Sequence, residues 1–282
     1  MTVSPVKNNP RLDAEQIESF RATVYDNFRK YGRSLPWRKT RDPYKILISE
    51  VMLQQTQVMR VLEKYRVFIE KFPNISSLAN ASVRDILSVW QGLGYNRRVL
   101  ALKKLAEKIT VEHNGAVPSE IKVLATLPGI GKATAYAICA FAFNQPVVFV
   151  ETNIRTVFIH HFFATQNAVS DSEILPLVQL TLDLRNPRRW YNALMDYGVT
   201  LKKQFGNPGK RSAHYQRQAS FEGSNRQIRG AILRTLVKRS SCTPRELIDE
   251  IPFDPARVRT MLMQLLKEGL VAKNGKSFVL PS

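Results

Sequence analysis

Cysteine is nearly missing. The 282 residues hold two, Cys139 and Cys242, far apart in the chain. Two cysteines so placed exclude a disulfide framework and a cysteine-ligated metal cluster. Long apolar runs are missing as well: none reaches about 18 residues, so no membrane span is expected. Met1 to Asn9 carry no apolar segment of signal-peptide type. Acidic residues are scarce, with 23 Asp and Glu against 42 Lys and Arg, a formal net charge of +19. Residues 210–282 hold 14 Lys/Arg against 6 Asp/Glu, leaving +11 for residues 1–209. Positive charge spread over a chain that is 44% hydrophobic points to a folded protein with an extended anionic partner, a nucleic acid, rather than to a basic tail. The expected setting is the cytoplasm, in association with the nucleoid.

Nearly every periodic stretch has helical spacing. Helices are expected over 13–31 with Asp13 as cap, from Asp42-Pro43 to about Arg60, and near 61–71, 75–80, 82–91, 96–113 and 119–126. Gln145 to Val150 reads as extended. Further helices are expected from Thr152 and near 171–184, 187–203 and 211–219. After Gly223 a separate unit follows. It has a helix over 228–239, a capped start at Thr243, a helix from Asp254 to Glu268, and two strands around the Asn274-Gly275 turn. Three helices and a hairpin make a winged-helix pattern. Arg257 and Arg259 lie on its long helix and are candidates for DNA contact.

The most telling segment is Leu127-Pro-Gly-Ile-Gly-Lys-Ala-Thr134. It reads as a tight hairpin between two helices, whose backbone amides at Gly129 and Gly131 can hold a phosphate without reading a base. Lys132 adds a cation. Two carboxylates stand out beside it. Glu50 lies in an apolar helix and shares a stripe with Gln54 and Gln57; in a semi-apolar cleft its pKa is expected to rise, making it a proton donor. Glu151 lies where an apolar run meets a helix start, which favours its ionised form by ~0.3–1 kcal/mol. Carboxylates pushed in opposite directions are the parts for breaking a glycosidic bond. The glycine-rich loop Gln91 to Arg98 is expected to approach the nucleic acid through Leu93, Tyr95, Asn96 and Arg97, with Leu93 or Tyr95 as a wedge.

These phrases, with Leu35-Pro-Trp-Arg, Ser49-Glu-Val-Met-Leu-Gln-Gln-Thr-Gln-Val58, Gly92-Leu-Gly-Tyr95 and Met195-Asp-Tyr-Gly198, resemble the helix-hairpin-helix DNA glycosylases, above all the adenine glycosylases. The resemblance spans roughly 30–205. It implies an all-α, bilobed fold with the active site between lobes: a six-helix barrel over 30–141, a second lobe from 1–29 and 142–222, and the winged-helix-like part over 223–282. It implies a flipped nucleotide in double-stranded DNA. Glu50 would protonate the base, with Gln54 and Gln55 entering the duplex and Leu53 and Ala133 beside the base pocket. Asn153 would orient Glu151 or a water. In relatives, carbonyls matching Ala125, Leu127 and Ile130 hold a monovalent cation.

The departures carry their own expectations. Glu151 replaces the superfamily's aspartate, which changes the carboxylate reach by ~1.5 Å. Ala133 stands where strand-cutting relatives have a lysine nucleophile, so a monofunctional glycosylase is expected, with at most weak strand cleavage through Lys132. The stretch from Thr200 to Tyr215, where most close relatives carry four cysteines, has none, so no iron–sulfur cluster and no other cofactor is expected. Lys202, Lys203, Lys210 and Arg211 are expected to supply DNA contacts there, while Phe205, Tyr215 and Phe221 replace the cluster's packing. The expected function is excision of a damaged or mispaired base, adenine or another purine, by a monomer. Thymine or uracil excision opposite guanine, a silent lesion-binding protein and a winged-helix regulator are the alternatives.

Overall fold

Small polar residues and prolines stand at the head of most helices and decide where they begin. The computed structural model describes residues 12–217 and 220–281. Asp13 accepts from the Gln16 N–H and Gln16 answers on the Asp13 N–H, opening α1 (Ala14–Tyr31). Asp42 and Pro43 open α2 (Pro43–Leu53). Then come α3 (Val58–Lys71), α4 (Ile75–Ala79), α5 (Val83–Trp90), α6 (Arg97–Glu112), α7 (Ile121–Leu124), α8 (Lys132–Phe143), α9 (Thr152–Phe162), α10 (Asp171–Thr181) and α11 (Pro187–Phe205). The rest is α12 (Asn225–Arg239), β1 (Ser241–Cys242), α13 (Pro244–Glu250), α14 (Pro255–Lys267), β2 (Ala272–Asn274) and β3 (Ser277–Val279).

The described residues divide into two compact units, with the boundary inside α8 after Thr134. One holds the residues up to Leu35 and Ala135–Arg217. There α11 packs against both α9 and α1. Phe20 meets Phe158 at 5.4 Å and Trp190 at 6.0 Å between ring centres. The buried carboxylate of Asp196 accepts from the Arg33 N–H at 2.8 Å and its guanidinium at 2.6 Å, which keeps a buried charge paired.

The other unit holds Pro36–Thr134 and the described residues after Arg217. Leu47, Ile48, Met52, Phe68, Leu87 and Trp90 are its fully buried centre. α12 packs on α14 and on α5. The strands form one antiparallel sheet in the order β1-β3-β2, with Cys242 opposite Phe278 and Asn274 opposite Ser277.

The structure corrects several expectations. The helix from Asp42 stops at Leu53 instead of Arg60, and α3 starts afresh at Val58. Gln55 between them has φ +53°, which no helix tolerates. The stripe Glu50–Gln54–Gln57 therefore does not exist as one helix face. The helix expected over 119–126 shrinks to α7. In place of a helix over 211–219, Pro208–Arg211 forms one 3-10 turn, and Val169 pairs in parallel with Ser212. Residues 218 and 219 lie outside the described residues. β1, too short for a period-2 signal, joins the two expected strands.

Candidate functional site

The hairpin lies between α7 and α8. Gly129 has φ +78°, and a Cβ there would stand 2.9 Å from the Ala101 Cβ, so both backbone and space require glycine. The Ile130 N–H closes the turn on the Leu127 carbonyl at 3.1 Å. Among the described residues the Gly129 and Gly131 amides donate to no protein acceptor. Gly129, Gly131, Lys132 and Ala133 are all exposed. Of the carbonyls at Ala125, Leu127 and Ile130, that of Leu127 takes the Ile130 N–H and keeps a second lone pair.

α2 is apolar almost all round, with Leu47, Ile48, Ser49, Val51 and Met52 buried and Glu50 half-buried among them. Leu53 is half-buried and Gln55 exposed. The Gln54 side-chain amide is not presented outward. It donates to the Gly129 carbonyl and to the Thr134 hydroxyl, both at 3.1 Å, tying the end of α2 to the hairpin.

Arg98 is the residue that sequence reasoning missed. Its Nη1 donates to the carbonyls of Val51, Met52 and Gln54 at 2.8–2.9 Å, closing the C-terminus of α2. Its Nη2 donates to the Thr56 hydroxyl at 3.0 Å and to the Gly94 carbonyl at 3.1 Å. Its guanidinium lies 5.0 Å from the Trp90 ring centre and 5.6 Å from that of Tyr95. Burial lowers its pKa to about 10, which leaves it charged at neutral pH. The sequence showed adjacent arginines; Arg97 was taken for DNA contact, yet it pairs with Glu268 at 2.5 Å.

In the loop, Leu93 is only 3% exposed, so it anchors the loop and is not presented as a wedge. Tyr95 is half-buried with φ +48°, and the half-buried Asn96 heads α6 without a side-chain cap bond.

Glu151 is the N-cap of α9. Its Oε1 accepts from the Asn153 N–H at 2.7 Å and the Ile154 N–H at 2.9 Å. Among the described residues Oε2 carries no hydrogen bond. The cap agrees with the sequence, and its two amides favour the charged form as a helix N-terminus should, though burial opposes them. Burial pushes the Glu151 carboxyl above its usual range, against the two amides, Lys202 and Arg155, which draw it down. Asn153 orients Glu151 through its backbone; its side chain accepts from the Lys202 ammonium at 2.8 Å. Lys202 is thus half-buried beside Glu151 instead of free for DNA, while Lys203 is exposed. Gly198 explains the Met195-Asp-Tyr-Gly phrase: a Cβ there would meet the Asn153 carbonyl at 2.6 Å.

The loop after α11 is held by other means than expected. Phe205, Tyr215 and Phe221 are exposed by 63%, 42% and 49%, so they do not pack as a core. Arg211 instead caps α9, donating to the Phe163 carbonyl at 2.7 Å and to that of Ala164. Gly209 lies under Thr156. On α14, Arg259 is exposed, whereas Arg257 donates to the Gly223 carbonyl and the Asn225 side chain, both at 2.8 Å. Both cysteines are buried, neither is in a disulfide among the described residues, and burial pushes both up in pKa. Among the described residues no helix is long and apolar enough to cross a membrane.

Residues 48–175 match the HhH-GPD superfamily of base excision DNA repair proteins. The adenine DNA glycosylase of Mycolicibacterium smegmatis is 34% identical over 269 residues, covering 88% of this chain and 89% of that protein. The chain belongs to this family. It is a helix-hairpin-helix DNA glycosylase of base excision repair, an N-glycosyl hydrolase. The adenine DNA glycosylase of Buchnera aphidicola is 35% identical over 184 residues, and there the match spans 52% of the relative's length. Among solved structures, a thermostable thymine-DNA glycosylase superposes with a TM-score of 0.62 at 26% identity, covering 69% of this chain and 91% of that one.

Proposed function

We propose that this glycosylase releases a mispaired or damaged purine, adenine foremost, from double-stranded DNA and leaves an abasic site without cutting the strand. The observation that carries this reading is Glu151: one oxygen is locked by two helix amides, and the other takes no hydrogen bond among the described residues, beside the Asn153–Lys202 pair. A carboxylate so held suits the stabilisation of a sugar cation, because it needs no reorganisation as charge develops.

In the proposed reaction the glycosidic electron pair leaves with the base. Glu50 gives the base its proton. Glu151, ionised, faces the cation that forms at C1′. Water then adds at C1′, and its proton passes to a carboxylate. The exposed amides of Gly129 and Gly131, with Lys132, grip a backbone phosphate, and Tyr95 and Gln55 meet the vacated duplex position. Ala133 offers no amine for a Schiff base, which supports the absence of strand cleavage. Arg259 and Lys203 add contacts of phosphate type, and the protein works as a monomer. Glu50→Gln and Glu151→Gln should each slow product formation by about 100-fold or more.

The test is a panel of duplexes carrying adenine, thymine, uracil or an alkylated purine opposite each base, treated with alkali to reveal abasic sites. Product from adenine-containing mispairs supports the proposal. Product from thymine or uracil opposite guanine alone overturns the substrate assignment.

A further inference from the structure

The segment after Arg217 shares a compact unit with the Gly92–Asn96 loop, and three arginines tie that segment to the loop and to the two helices that flank it. Arg84 of α5 donates to the Ser240 carbonyl at 2.8 Å and its hydroxyl at 3.1 Å, at the end of α12. Glu268, after α14, takes Arg97 from the head of α6 at 2.5 Å and Arg229 from α12 at 2.5 Å. Between them, Arg226 of α12 donates to the Tyr95 hydroxyl at 3.1 Å, with its guanidinium 5.8 Å from the ring centre.

The loop so held is unusual. Gly92, Gly94 and Tyr95 have φ of +92°, +71° and +48°. A tyrosine keeps that backbone only where its surroundings impose it. Trp90 fixes one side, donating to the Gly94 carbonyl at 3.1 Å. Two guanidinium groups, Arg98 and Arg226, address the ring itself. Arg98 belongs to the loop's own helix, but Arg226 comes from the appended segment, 131 residues further on.

We infer that the C-terminal segment serves as the brace of the Gly92–Asn96 loop, with Arg226 the positioning residue that presets Tyr95 for the distorted duplex. This rests on the glycosylase reading for its purpose. A loop already ordered before DNA arrives spends less of its contact energy on ordering, and the gain falls on lesion-bearing DNA. Intact duplex, held through phosphates, gains nothing from it.

The experiment uses the full chain and two probes: a duplex with a tetrahydrofuran abasic analogue and the same duplex intact. Amide exchange of residues 92–98 is followed in the free protein. Arg226→Ala should speed exchange in that loop and cut the preference for the analogue about tenfold, with intact-duplex binding unchanged. Arg226→Lys keeps the charge without the planar fork and should fall between. Arg226→Ala and Tyr95→Phe should be non-additive, since they break one contact. Unchanged preference and exchange in Arg226→Ala, or full additivity with Tyr95→Phe, overturns the inference. If faster exchange spreads through all of α12–α14, the variant has loosened the segment. Tyr95→Phe alone then decides, and unchanged exchange in its loop overturns the inference. A wild type that prefers the analogue but yields no abasic product from any base defeats the glycosylase reading and leaves these measurements to decide the brace.

Discussion

Arg98 donates to the Gln54 carbonyl at 2.9 Å, and the side chain of Gln54 donates to the Gly129 carbonyl at 3.1 Å. This two-step relay joins three segments far apart in sequence. They are the glycine-rich loop, the glutamine turn after α2 and the phosphate-type hairpin. Two of them hold non-glycine residues at positive φ, Tyr95 and Gln55, and the arginine braces both. Backbone held in sparsely populated regions clusters where a protein engages a ligand, and one cation here holds two such places.

Arg98→Ala takes from the last carbonyls of α2 their side-chain donor and leaves the Gly94 carbonyl with Trp90 alone. Losing a half-buried charge with that many partners should cost about 3 kcal/mol. For a chain of this size that lowers Tm by about 6–12 °C. Arg98→Lys keeps the charge but cannot span both turns, and should lose about 1–2 kcal/mol. Urea unfolding checks both; an alanine variant within about 0.5 kcal/mol of wild type would show that the relay carries no stability.

Glu151 makes the second prediction. Burial raises its pKa, and the charged form is the one that faces a sugar cation. Single-turnover excision should therefore fall on the acid side, with its midpoint above the ordinary glutamate value. Glu151→Gln should lower the rate roughly 10²–10⁴-fold while leaving stability equal or higher, because the amide still caps α9 and no charge is buried. Glu151→Asp keeps the cap but withdraws the carboxylate by ~1.5 Å, and should cost about 10–100-fold. An aspartate variant faster than wild type would mean the site is not fitted to glutamate.

Much of this was legible in the chain because it is local. Asp13 and Gln16, Asp42 and Pro43, and Thr243 and Glu246 are start signals carried within four residues, and each opens a helix. The glycines of the hairpin announced their turn in the same way. What failed was set from afar. Residues 54–57 carry no glycine or proline to mark a break, and the side chain that takes the last carbonyls of α2, Arg98, lies more than forty residues on. Leu93 looked available because a Gly-Leu-Gly string says nothing of burial. Phe205, Tyr215 and Phe221 looked like a core because aromatics usually are, while the stretch is fastened by Arg211 on the end of α9. Lys202 looked like a surface cation, and its partner, Asn153, is named only by the approach of α11 to α9.

That approach is itself open to a test. Gly198 lets α11 come so close that an added Cβ would stand 2.6 Å from the Asn153 carbonyl and 2.8 Å from its Cβ. Neither neighbour can yield without moving the first turn of α9. Gly198→Ala should destabilise by about 1–3 kcal/mol even though alanine favours helix, so the sign opposes propensity. It should also slow excision more than the stability loss explains, because Glu151 shares the displaced turn. A variant that is stable and fully active would show that the turn is not held by this contact.

The last prediction concerns acid. Arg97, and then Arg229, hold the Glu268 carboxyl down to about 2, below its ordinary 4.5. A carboxylate with a depressed folded pKa binds protons more readily when unfolded, so its contribution is complete above the unfolded value near 4.5. It is lost as pH falls from there through 2. Arg97 is 74% exposed, which screens part of the pairing, so the amount at stake is about 1–2 kcal/mol. Glu268→Gln should therefore be less stable than wild type at pH 7 by that amount, and the two should converge near pH 2. The gap should also narrow in high salt, since one partner faces solvent. Equal stability at pH 7, or a gap that widens on acidification, would mean that the two arginines do not hold Glu268 in its charged form.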